Sequence, residues 1–323
     1  MNDRTGTFAL LDGGKSGLRL RIDGPDGRYD GAGAGFTYEP GADDVAMIVA
    51  AVRQAHKASG HRGTVDRVCG GLTGATAEQA GRCRLTDALS AVFGGAPVTI
   101  VDDGVPAHAG ALDGPGVLIC AGTGTVAIGV ADDGRWSRAD GWGPLLGDRG
   151  SGYAIGRAGL AAALAATDGT GPPTALAEPA ADHLGGMDLP AVQRLMGSAA
   201  PTVRISAFAP AVVTAAGRCD PVAGAILAAA ADDLARTAAA AGRRCGLSPS
   251  STPVSVAGRL FLAGEALLAP LRRALDHHGL RLVGSRADAL TGALRLAQRP
   301  AATPYHRVVA GEPPLISAWP TTD

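Results

Sequence analysis

Asp12-Gly13-Gly14-Lys15-Ser16-Gly17 places a carboxylate beside glycines, a lysine and a hydroxyl. Successive backbone N–H groups in a turn form anion-binding concavities, and glycine lets an oxygen approach closely. Gly122-Thr123-Gly124-Thr125 repeats the combination later in the chain. Two such turns predict phosphate contacts at Gly13, Gly14, Lys15, Ser16, Thr123, Gly124 and Thr125. Asp12 suits the Mg²⁺ that neutralises a triphosphate, held directly or through water; capping of its own turn is the alternative. Asp102-Asp103 ends an apolar run and precedes Gly104. A carboxylate there can accept a proton from a hydroxyl during phosphoryl transfer. Adjacent strand side chains point in different directions, so one of the two is expected to act, unless both cap a following helix. Gly141 to Gly152 carries five glycines in twelve positions, the pattern of an irregular loop against a ligand. Asp148 would hydrogen-bond sugar hydroxyls there with Trp142 packed behind it; a plain connector is the alternative.

These residues need elements to position them. Thr7–Leu11 reads as a strand, and Leu18, Leu20 and Ile22 alternate with Arg19 and Arg21 as its hairpin partner. Val45–Ala58 has helical spacing, Val65–Leu72 reads as a strand, Ala75–Phe93 as a helix and Val98–Val101 as a strand ending at Asp102. The pattern then restarts: Val117–Ala121 and Val126–Val130 flank the second glycine turn, about 110 positions after the first hairpin. Two α/β halves, each opening with a glycine-turn hairpin, predict a duplicated fold with a cleft between the halves. Gly13-Gly14-Lys15-Ser16 is not a nucleotide P-loop: the required earlier glycine is Ala9, and a strand follows instead of a helix. Beyond Gly156 helices dominate. Asp220-Pro221 opens one running to Cys245, with Asp as N-cap and Pro in the first turn. Pro253–Ala257 reads as a buried strand ending at Gly258, Gly264–His277 and Ala287–Gln298 as helices, and Pro300–Asp323 as an extended tail ordered at most near Trp319.

Composition narrows the classes. The 323 residues carry 29 basic and 30 acidic side chains, which excludes a general electrostatic grip on nucleic acid or an anionic membrane. Met1-Asn2-Asp3-Arg4 is polar and no signal-peptide core follows. The uncharged stretch Gly114–Ala131 is broken by its glycine turn, so two buried strands are expected there and not a membrane span. A cytoplasmic chain is expected. Cys69, Cys83, Cys120, Cys219 and Cys245 are scattered, fitting isolated thiols and neither a zinc site nor a disulfide framework.

In combination these motifs carry a resemblance. Asp12-Gly13-Gly14, Asp103, Ala121-Gly122-Thr123-Gly124-Thr125, Gly141-Trp142-Gly143, Gly147-Asp148-Arg149-Gly150-Ser151-Gly152 and Gly258 occur in the order seen in N-acetylglucosamine kinases. Phe208-Ala209-Pro210, Asp220-Pro221 and Gly292-Ala293 extend the similarity over roughly residues 7–298. The chain resembles these members of the BadF/BadG/BcrA/BcrD ATPase family, in the actin, hexokinase and heat-shock chaperone superfamily. The resemblance implies an α/β fold of duplicated ribonuclease-H-like domains, the actin-like ATPase fold with an interdomain cleft. Residues 1–115 would form the first domain, 116–299 the second with a helical insertion, and 300–323 the tail. It implies ATP and Mg²⁺, with transfer to the 6-hydroxyl of an amino sugar, N-acetylglucosamine first and glucosamine or a related amino sugar second. By position Asp103 matches the catalytic base. Thr123 and Gly124 match a loop touching phosphate and sugar. Asp148 matches a sugar-binding carboxylate, with Trp142 and Gly143 as substrate-binding candidates beside it, and the strand-loop Val256-Ala257-Gly258 matches the wall near adenosine. The resemblance leaves room for a homodimer and implies no nucleic-acid or membrane partner. Two positions depart from the family pattern: Arg149 replaces a Glu, and Gly35-Phe36-Thr37 stands where an Asn is usual.

Two rival readings come from other classes. Family members that activate 2-hydroxyacyl-CoA dehydratases need a cysteine-held iron–sulfur cluster, and none of the five cysteines sits in a glycine-rich loop between helices. A non-catalytic sugar sensor is opposed by the presence of both Asp12 and Asp103.

Overall fold

The computed structural model describes residues 6–14, 16–36, 44–74, 79–250, 252–298, 304–312 and 314–315. The chain divides into two compact units. The first takes the residues up to Pro115 with Val130–Trp136 and Gly284–Leu315; the second takes Gly116–Gly129 and Ser137–Val283.

The first unit opens with β1 (Phe8–Gly14), β2 (Gly17–Gly24) and β3 (Gly27–Gly33), followed by α1 (Asp44–Ser59), β4 (Arg67–Leu72), α2 (Gln79–Val92), β5 (Val98–Val101) and α3 (Gly104–Ala111). Its sheet runs β3-β2-β1-β4-β5. The first three strands form an antiparallel meander, while β4 and β5 lie parallel to β1. The alternation seen in the sequence lays Leu18, Leu20 and Ile22 on the buried face, against Ile48, Val49 and Val52 of α1.

The second unit contains β6 (Gly116–Ala121), β7 (Thr125–Val130), β8 (Trp136–Asp140) and α4 (Gly152–Thr167). Short helices α5 (Ala177–Leu184), α6 (Leu189–Met196), α7 (Pro201–Ser206) and α8 (Ala209–Gly217) lead to α9 (Pro221–Cys245). Then come β9 (Thr252–Ala257), α10 (Glu265–His277) and β10 (Leu280–Leu282). The sheet order, β10-β9-β6-β7-β8, matches the first sheet with β6 in the place of β1 and β9 and β10 in the places of β4 and β5. β9 is parallel to both β6 and β10. Both units thus have the ribonuclease-H-like α/β architecture. The core of the second unit is alanine-rich, and α9 alone buries Ala223, Leu227, Ala231, Leu234, Ala235 and Ala238. The Asp220 side chain accepts the Ala223 N–H at 2.8 Å as N-cap of α9, with Pro221 at the first helical position.

Three expectations are corrected. The first glycine turn is shorter than expected: Asp12, Gly13 and Gly14 lie inside β1, paired with Arg19, Leu18 and Gly17 of β2. Glycine takes extended backbone as readily as a turn, so the run does not break the strand. Residues 284–298 group with the first unit, where the expected boundary was 299, because α11 (Ala289–Gln298) packs on α3, β1 and β4. The chain end is not simply an extended tail: α12 (His306–Val309) follows a buried Tyr305, whose hydroxyl lies 2.8 Å from His108 Nδ1 of α3. Trp319 lies outside the described residues. Among the described residues no single helix is long and apolar enough to cross a membrane.

Candidate active site

In the first unit the carboxyl ends of the parallel strands collect the candidate residues, as expected for ligand sites of α/β sheets. Asp12 lies near the end of β1, Thr73 directly follows β4, and Asp102-Asp103 follows β5. The Thr73 N–H donates to the Gly13 carbonyl at 2.9 Å. Its hydroxyl donates to Asp103 Oδ2. A Cβ at Gly71 would lie 2.8 Å from Asp103 Cα and 2.9 Å from Pro106 Cγ, so glycine is required for the turn after β5 to settle on β4.

The adjacent aspartates divide their work. Asp102 Oδ1 accepts the Gly104 N–H at 3.1 Å and caps α3. The Asp103 side chain makes no capping bond. Burial pushes the Asp103 carboxyl up to about 7, the Asp102 charge and then Asp12 add to the rise, and the Thr73 hydrogen bond opposes it. A half-buried carboxylate of that acidity can take a proton near neutral pH.

Asp12 pairs across the ladder with Arg19, whose Nε donates to Oδ2 at 3.1 Å. Among the described residues no three His, Cys, Asp or Glu side chains form a metal-binding group. A single carboxylate still suits Mg²⁺, which keeps most of its waters and borrows phosphate oxygens. Gly13 and Gly14 serve packing as strand residues. A Cβ at Gly13 would lie 3.0 Å from Leu18 Cδ1 and Leu72 Cδ2, and one at Gly14 would strike the Thr73 hydroxyl. Ser16 is exposed in the remaining turn, and Lys15 lies outside the described residues.

The second unit gathers the other candidates. The Gly122 N–H donates to Gly124 O at 2.9 Å, while the first amides of α4 hold the turn from below: Gly152 N–H to Gly122 O at 2.8 Å and Tyr153 N–H to Thr123 O at 3.2 Å. The amides of Thr123 and Gly124 have no partner among the described residues, and Thr123 is exposed. Thr125 points inward. Its hydroxyl is buried without a partner, and its N–H donates to Asp148 Oδ1 at 3.2 Å. It is therefore not placed to offer a hydroxyl to phosphate.

Asp148 is buried at φ +55°, and its carboxylate packs on Gly124, where a Cβ would lie 2.8 Å from Oδ2. Trp142 does not pack behind Asp148: it is 68% exposed on a loop with Leu145 and Leu146. The Gly143 carbonyl accepts the Gly147 N–H at 2.8 Å within that loop. Gly258, at φ +106°, closes the end of β9 on β6, and a Cβ there would lie 2.9 Å from the Ala121 carbonyl carbon. At the departures from the family pattern, Phe36 is buried in the first core and Arg149 is exposed. Thr37 lies outside the described residues.

Two functional candidates escaped the sequence reading. Thr73 sits in Gly70-Gly71-Leu72-Thr73-Gly74, a hydroxyl among glycines at a strand end, which repeats the logic of Asp12-Gly13 and is its only sequence signal. Asp140 ends β8 just before Gly141 and accepts hydrogen bonds from the loop it precedes.

Comparison with known proteins adds the following. The sequence profile described as the BadF/BadG/BcrA/BcrD ATPase family matches residues 13–296. An N-acetyl-D-glucosamine kinase of Dictyostelium discoideum is 49% identical over 63 residues, 20% of this chain and 20% of that protein. An N-acetylmuramic acid/N-acetylglucosamine kinase of Clostridium acetobutylicum is 39% identical over 80 residues, 24% of this chain and 26% of that protein. The matched segments span 20% and 26% of the length of these relatives. A Chromobacterium violaceum structure, provisionally assigned as an N-acetylglucosamine kinase, superposes with TM-score 0.69 at 26% identity, covering 90% of this chain and 98% of that one. A ROK family glucokinase from Streptomyces griseus shares the fold at 21% identity and TM-score 0.56, covering 91% and 100%.

Proposed function

The chain belongs to the BadF/BadG/BcrA/BcrD ATPase family, and from that premise we propose that it is an ATP-dependent amino-sugar kinase. The proposed acceptor is the 6-hydroxyl of N-acetylglucosamine, with glucosamine second. The observation that carries the reading is Asp103: a half-buried carboxylate raised to about 7, held by Thr73 and released from capping by Asp102.

In this mechanism Asp103 takes the proton of the 6-hydroxyl as its oxygen bonds to the γ-phosphorus. The bond from the γ-phosphorus to the β–γ bridging oxygen breaks, and ADP leaves with that electron pair. Bound Mg²⁺ would neutralise the phosphates, with Asp12 as its protein ligand, directly or through water. The partner-free amides of Thr123 and Gly124 are suited to phosphate oxygens. Ser16, Gly13 and Gly14 are also assigned to phosphate, and Gly258 to the wall near adenosine. Asp148, Trp142 and Gly143 are assigned to the sugar. Use of ATP as donor supports a cytoplasmic location.

The test is ADP formation with N-acetylglucosamine, glucosamine, glucose and N-acetylmuramic acid, each with wild type and Asp103→Asn. The reading requires turnover with an amino sugar that the substitution removes. Equal ADP formation with and without sugar would refute it.

A further inference from the structure

Asp140 is buried at φ +63°, one of four described non-glycine residues in the left-handed region; Asp148 is another. Between them Gly141 and Gly143 also take positive φ, and Gly150 follows with the same sign. The glycines take these conformations freely, but the two aspartates do so at a cost that persists only where the surroundings hold them. One carboxylate supplies three of the hydrogen bonds that hold the segment. Asp140 Oδ1 accepts the Gly141 N–H at 2.8 Å and the Asp148 N–H at 2.8 Å, and Oδ2 accepts the Arg149 N–H at 3.0 Å. No ion pair to Asp140 occurs among the described residues, so its charge is met by backbone amides. Hydrogen bonds to a charged acceptor are roughly twice as strong as neutral ones. The chain of contacts continues, because Asp148 in turn accepts the Thr125 N–H at 3.2 Å and packs on Gly124.

We propose that Asp140 is a positioning residue that sets the sugar loop and, through Asp148, the Gly122–Thr125 phosphate turn, so that the two ligands are felt at one another's subsite. This rests on the kinase reading above. Asparagine at 140 keeps the size but turns an NH₂ group toward at least one N–H donor, leaving that amide unpaired.

The test is a double-mutant cycle on kcat and KM with Asp140→Asn, Asp148→Asn and both. The expected result is a KM for N-acetylglucosamine raised about tenfold or more by Asp140→Asn, from the typical strength of a charged hydrogen bond. The effect should shrink to under about twofold in the Asp148→Asn background. A merely structural aspartate would lower kcat in proportion to the folded fraction, leave KM unchanged and act additively; that result overturns the proposal. Hydrogen exchange on the wild-type protein covers the case of a variant that does not fold. The amides of Gly141, Asp148 and Arg149 should be protected without ligand, and N-acetylglucosamine should add protection at Thr125. Fast exchange at all three, or sugar protection that stops at residue 149, overturns the clamp. A wild-type enzyme that phosphorylates no amino sugar defeats the kinase reading instead, while exchange in the ligand-free protein still decides whether Asp140 holds the loop.

Discussion

In the proposed mechanism Asp103 is the base, and its acidity sets how activity should depend on pH. A base must be unprotonated to accept a proton, so kcat/KM should rise with pH and level off above about 7. Asp103→Asn should cut kcat by about 10²–10⁴-fold while ATP binding measured by calorimetry stays close to wild type. Asp102→Asn should cost far less, because Asp102 caps α3. The stability sign follows from the same shift. The folded carboxyl holds its proton up to about 7 while the unfolded one releases it near ~3.9, so ionised Asp103 opposes folding, and stability falls as pH rises through that window. Asp103→Asn should therefore melt a few degrees higher than wild type at pH 8 and about equally at pH 4. Thr73→Val removes the hydrogen bond that lowers the Asp103 value, so the pH–rate profile should move to higher pH. An unmoved profile would separate Thr73 from the base. Asp103 and Asp148 were legible because each stands in a glycine-marked segment. Thr73 was not read, since a hydroxyl among glycines after a strand names no partner until the strands are aligned.

At the scale of elements, glycines mark where one backbone presses on another. Gly124→Ala would place a methyl about 3 Å from the Asp148 carboxylate, so it should raise KM for ATP and for sugar together. Normal values for both would show that the turn and the loop are not coupled. Asp220→Ala removes the N-cap of α9 and should lower stability by about 1 kcal/mol in urea unfolding with little change in kcat. The strands flanking each glycine turn and helices α1, α9, α10 and α11 were legible from period and caps. β3 was not. Its glycines are fixed by α1, where a Cβ at Gly31 would lie 2.9 Å from Ser59 N and one at Gly33 3.0 Å from the Ala51 carbonyl carbon. Such a strand loses the period-two signal. α3 was hidden for a similar reason: it is buried nearly all round, and a Cβ at its Gly110 would lie 2.8 Å from the Asp288 carbonyl carbon.

For the whole molecule, the restart of the hairpin pattern foretold two sheets of matching strand order. It did not foretell that the chain returns to the first unit after β10, since α11 and Tyr305 reach α3 through tertiary contacts that no local pattern encodes. In the proposed mechanism the Asp103 carboxylate acts on a sugar hydroxyl. ATP hydrolysis without sugar should then be slow. The most direct measurement is the rate of ADP release by wild type and Asp103→Asn, with and without N-acetylglucosamine, at pH 8. The account predicts a sugar-dependent rate in wild type that falls at least about a hundredfold in the variant. A sugar-independent rate, or one within threefold of wild type in Asp103→Asn, would contradict it.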